Sequence, residues 1–134
     1  MLLLTHRKFL AYLYKMREYA KKHKDTEDYT FTTYSGMCYL LLGLIYKDMN
    51  VGENPSVEEH YKAYVLRNKI MKRLEKYHQY VVPYTTEWWF PAGDWNIRLQ
   101  FLEEVIKVER SLKNRILFKL GFYKFPVISM EFYC

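Results

Sequence analysis

SGMCYLLLGLIYKDM, residues 35–49, is apolar almost all the way round at helical spacing. A helix with that pattern has neighbours on most of its sides. Its apolar run, around residues 36–46, is too short to cross a bilayer, which takes about 20 consecutive apolar residues. The stretch therefore predicts the central helix of a small bundle, with Gly36 and Gly43 permitting close backbone approach and Cys38 as a packing residue.

Upstream, residues 5–23 read as an amphipathic helix. Thr5 is placed as its N-cap, and Phe9, Leu10, Leu13, Met16, Tyr19 and Ala20 recur every three or four residues. Between the two helices, KDTEDYTFTTYS changes both charge and periodicity and reads as a connection. Downstream, NVGENPS breaks the chain, and Ser56 with Glu59 has the spacing of a capping box. The helix that follows is predicted from Val57 to about Gln79, with Tyr61, Tyr64, Val65, Ile70, Met71, Leu74 and Tyr77 near its buried side. Pro83 and Pro91 exclude a helix between them and predict an extended segment. Asp94 then caps a long helix from Trp95 to about Leu120, carrying Leu99, Leu102, Val105, Ile106, Leu112, Ile116 and Leu120 on one stripe. The stripe weakens near Ser111, which allows a kink there, and Gly121 is the C-terminal stop. The chain thus predicts a mainly α fold: a single-domain bundle of about four helices over residues 1–134, with short extended segments near residues 80–92 and 122–133.

At 134 residues the chain can bury a core without cross-links. Cys38 and Cys134 form no metal or redox pair and read as free thiols in a reducing compartment. The opening MLLLTHRKFL lacks the layout of a signal peptide, so a soluble cytoplasmic protein without a membrane partner is expected. His6, His23, His60 and His78 have no metal-ligand spacing, and no GxSxG elbow, Walker loop or GxGxxG turn is present. No catalytic residue, metal or cofactor is therefore predicted, and the expectation is a protein that is not an enzyme.

Aromatic residues make up 19% of the chain, with 14 tyrosines. Two accounts fit: a codon bias toward Tyr, Phe and Lys, with most rings buried in the core, or a tyrosine-rich recognition surface. The net charge of +6 is unevenly laid out. Residues 1–24 and 62–76 are strongly basic, while 25–61 hold seven acids against Lys47. Arg7, Lys8, Lys15 and Arg17 on the first basic helix, with Lys69, Lys72 and Arg73 on the second, are the candidate phosphate-attracting surface. The competing account is that each run is a solvated helix face.

EWWFPAGDW, residues 87–95, concentrates all three tryptophans at the entrance to the last helix. A helix start offers free amides and a positive dipole end. Trp88 and Trp89 with Asp94, Trp95 and Arg98 form the candidate ligand-binding set, the indoles stacking on a base and the guanidinium holding its phosphate. Alternatively the indoles plug one end of the bundle, and Arg98 stacks on one of them or pairs with Asp94.

GMCYLL, Pro83 and WWFPAGDWNIRLQFLEEVI together resemble small bacteriophage proteins of no assigned activity. The matching positions are Gly36, Cys38, Trp89, Pro91, Gly93, Trp95 and Arg98, within residues 34–45 and 83–106. The resemblance implies a phage accessory protein acting in the host cytoplasm. It is expected to bind and neutralise a host-defence component, either by sequestering a nucleotide signal or by inhibiting a protein effector. The alternatives are a nucleic-acid-binding protein using the basic helices 5–23 and 57–79, or a homo-oligomeric assembly protein.

Overall fold

The computed structural model describes residues 4–23, 34–81 and 95–125, with backbone alone at 34–37, 78–81 and 95–98. Among them run α1 (His6–His23), α2 (Tyr34–Met49), α3 (Val57–Val81), α4 (Trp95–Glu109) and α5 (Leu112–Lys119), with no strand. The fold is a small all-α bundle. Of the extended segment expected near 80–92, residues 80 and 81 are helical instead, because α3 continues to Val81, and 82–92 lie outside the described residues. Residues 122–125 are non-helical as predicted, and 126–133 lie outside the described set.

Local chemistry sets most helix ends. The Thr5 hydroxyl accepts the Lys8 amide at 3.1 Å and opens α1. At α3 the capping box is complete: the Ser56 amide donates to Glu59 Oε1 at 2.8 Å, and the Glu59 amide donates to Ser56 Oγ at 3.1 Å. Hydrogen bonding to Ser56, its backbone first and then its side chain, holds the Glu59 carboxyl below the usual glutamate range. α2 ends where Asn50 turns into the left-handed region, φ 56°, and Val51 donates back to the Tyr46 carbonyl at 3.3 Å. Gly121, φ 81°, ends α5 in the same way, with Phe122 donating to the Leu117 carbonyl at 2.8 Å.

The helices pack as two main pairs, α1 against α4 and α2 against α3, with smaller α1–α2 and α3–α4 contacts. Phe9, Tyr12, Leu13 and Met16 of α1 meet Phe101, Leu102, Val105 and Ile106 of α4 in one continuous core. α3 contributes Ala63, Leu66, Ile70, Leu74 and Tyr77, one face at three- and four-residue spacing. Tyr61 and Tyr64, expected near the buried side, face solvent instead. Ala63, fully buried between them in sequence, puts the covered stripe one face round from the larger rings.

α2 is not surrounded either. Leu40, Leu41, Leu42 and Ile45 are buried, but Tyr39 is 70% exposed, and a Cβ added at Gly43 would meet nothing within 4 Å. Gly43 therefore permits no close approach; it lies on an open face. The long C-terminal helix also divides. Ser111 adopts extended geometry and caps α5 through the Asn114 amide at 3.2 Å, while Asn114 Nδ2 reaches back to the Lys107 carbonyl at 3.1 Å. The new helix direction carries Leu112, Ile116 and Leu120 out of the core to solvent.

Candidate functional site

Helical spacing puts Tyr39, Gly43 and Tyr46 on one face of α2, and His60, Tyr64 and Arg67 on one face of α3. The two helices are joined by the short turn 50–56 and pack along one another, so the rows run antiparallel. Tyr46 and His60 meet where the rows begin. The phenol oxygen and Nδ1 share a 2.6 Å hydrogen bond, and the rings stand edge to face with centroids 5.6 Å apart. Farther along, the Arg67 guanidinium lies 4.6 Å over the Tyr64 ring and donates to Asn68 Oδ1 from Nε at 3.2 Å and Nη2 at 3.0 Å. Arg67 is thus held flat on an aromatic face rather than free to swing.

Partial desolvation, and then the neighbouring Tyr64, raise the Tyr46 phenol above the ordinary tyrosine range, with Arg67 acting in the opposite sense. The phenol stays a neutral hydrogen-bonding group. Beside these rows Tyr61 is 69% exposed on the outer side of α3. Tyr46 packs partly against the core, while Tyr39, Tyr61 and Tyr64 are exposed. An open face of tyrosines with one pre-positioned arginine has the composition of binding hot spots, large rigid contact area at low entropy cost.

A second cluster is structural. Glu109, at the end of α4, is buried, and Tyr77 donates its hydroxyl to Glu109 Oε1 at 2.7 Å. His6 Nδ1 meets the other oxygen at 3.0 Å, so one carboxylate joins α1, α3 and α4. The Tyr77 ring stacks on Phe118 at 4.4 Å, and Phe125 stands edge-on to both. Burial, then the hydrogen bond to Glu109 and its charge, push the Tyr77 phenol far above its ordinary range. The sequence held a signal for this network: Leu102, Val105, Ile106 and Glu109 share one helical stripe, which puts a carboxylate among core positions.

Of the residues singled out from sequence, Trp88, Trp89 and Asp94 lie outside the described residues, as do Pro91 and Gly93. Trp95 opens α4, and Arg98 lies in its first turn, with their side chains outside the described set. The basic residues divide. Arg17 pairs with Glu18 at 3.6 Å and Glu103 at 3.7 Å, tying α1 to α4. Lys15 pairs with Asp48 at 3.6 Å. Arg73 donates to the Leu4 carbonyl at 3.3 Å and covers the Phe9 ring, bringing α3 to the start of α1. Lys8 and Lys69 are half-buried, and Arg7 and Lys72 are exposed.

Among the described residues, no group of three or more His, Cys, Asp or Glu side chains is arranged to hold a metal ion. No described helix is long and apolar enough to cross a membrane. No family model, curated protein or solved structure matches the chain.

Proposed function

We propose that the protein is a non-enzymatic phage accessory protein that neutralises a host-defence component, and that the component is a protein effector held by the tyrosine–arginine face of α2 and α3. The observation that carries the reading is the exposure of Tyr39, Tyr61 and Tyr64 beside an Arg67 already fixed by Tyr64 and Asn68. Rings held on two packed helices lose little freedom when a partner covers them. The nucleic-acid alternative has less support, because Lys15, Arg17 and Arg73 already have partners within the chain.

Expression in bacteria carrying a panel of defence systems, followed by phage plaque counts, tests the proposal. Wild-type protein is expected to restore plaques against at least one system. A variant with Tyr61→Ala, Tyr64→Ala and Arg67→Glu is expected to lose that effect while keeping its helical circular dichroism. Restoration by neither protein, or by both equally, refutes the assignment.

A further inference from the structure

On the side of α2 nearer α1, the two helices leave a cleft of about 600 Å³. A cleft holding one small ligand occupies roughly 300–1,000 Å³. Its walls are Tyr14 and Tyr19 of α1 and Leu44 of α2. Both rings are braced from their own helix: the Arg17 guanidinium lies 4.8 Å from the Tyr14 centroid, and His23 stacks on Tyr19 at 4.1 Å. The walls are therefore pre-set for a flat group.

The charge of the cleft is also ordered. Its acids are already partnered: Asp48 accepts the Tyr12 hydroxyl at 3.1 Å and pairs with Lys15, and Glu18 pairs with Arg17 and Lys21. Lys22 and Lys47, which line the same cleft from opposite helices, have no hydrogen bond or ion pair among the described residues. These two lysines thus border a space whose walls also carry aromatic and aliphatic carbon. We propose that this cleft binds a free nucleotide. The base lies between Tyr14, Tyr19 and Leu44, and the phosphate takes charge-assisted hydrogen bonds from Lys22 and Lys47. The site stands apart from the tyrosine face of α2 and α3 and is independent of the function proposed for it.

Calorimetric titration with AMP, adenosine, inorganic phosphate and a 5′-phosphorylated oligoadenylate tests the assignment on the full chain. AMP is expected to bind saturably, and adenosine and phosphate each to bind at least about tenfold more weakly, since each lacks half the contacts. Lys22→Ala with Lys47→Ala is expected to weaken AMP by about tenfold or more with unchanged thermal melting, because neither lysine has an internal pair among the described residues. Leu44→Trp, which fills the cleft, should abolish AMP binding, and Tyr61→Ala with Tyr64→Ala should leave it intact. A flat AMP isotherm, equal affinity for AMP and adenosine, or undiminished binding by the lysine variant overturns the proposal. Tighter binding of the oligonucleotide than of AMP would assign the cleft to a strand end instead.

Discussion

Replacing Glu109 by alanine removes a carboxylate that three helices share. Tyr77 is 3% exposed, so its hydroxyl would lose a 2.7 Å partner in a place water does not reach. A hydrogen bond to a charged group contributes about 1.5–3 kcal/mol, and an orphaned buried donor carries its own desolvation penalty. The His6 contact adds less than about 1 kcal/mol, because the imidazole side chain is 35% exposed and solvent screens it. The loss expected for Glu109→Ala is thus about 3 kcal/mol, or roughly 10 °C in melting temperature for a chain of this length. Tyr77→Phe should cost about half as much, since Glu109 keeps His6. The informative measurement is the double variant, Tyr77→Phe with Glu109→Met, in urea unfolding. Removing donor and acceptor together leaves no orphan and no buried charge, so the double variant should recover most of the Glu109→Ala loss. Single and double losses that simply add would show that the two groups are energetically independent. The reasoning would then be wrong.

Three further outcomes follow from individual contacts. Gly43→Ala should stabilise the fold by about 0.5–1 kcal/mol in thermal melting, because the new methyl meets nothing and a mid-helix glycine is entropically costly. Ser56→Ala should cost about 1 kcal/mol by the same assay, since it removes the side-chain half of a complete capping box. Tyr12 and Tyr77 both have phenols raised above the ordinary range, Tyr12 by burial and then by Asp48. A raised folded value means full stability below the unfolded tyrosine value of about 10, and loss as pH climbs beyond it. Relative to wild type, Tyr77→Phe and Tyr12→Phe should each flatten that alkaline limb by up to about 1.4 kcal/mol per pH unit. Limbs of equal slope would refute the shift.

The parts of the fold legible in sequence are those whose causes lie within a few residues. Thr5 with Lys8, Ser56 with Glu59, and Gly121 with its left-handed turn each act inside one helical turn. The break at Ser111 was visible as a weakening of one stripe, but its consequence was not. Whether Leu112, Ile116 and Leu120 remain in the core depends on the direction α5 takes after the cap, a matter of tertiary geometry. α3 shows the opposite limit. Ring area favours Tyr61 and Tyr64 for the buried side, while the fold buries Ala63, the smallest of the three. Glu109 sat at a readable core position, but His6 lies 103 residues away in sequence, and nothing local connects them.

The tyrosines follow from the same distinction. Composition offers two accounts, a biased core or a recognition surface, and the described tyrosines divide between buried and exposed positions. Tyr12 and Tyr77 are core residues whose hydroxyls are fixed by Asp48 and Glu109. Tyr39 and Tyr61 add almost nothing to the core and stand with Tyr64 and Arg67 on an open face. Both kinds obey the same helical periodicity, so only the packing partner separates them: Leu66, Ile70 and Leu74 set which side of α3 is covered, and the rings on the other side remain for a partner. Ring exposure is therefore a better guide to the interface than ring abundance. Exposure is why the α2–α3 face carries the proposed function; the tryptophan side chains at the entrance to α4 lie outside the described set.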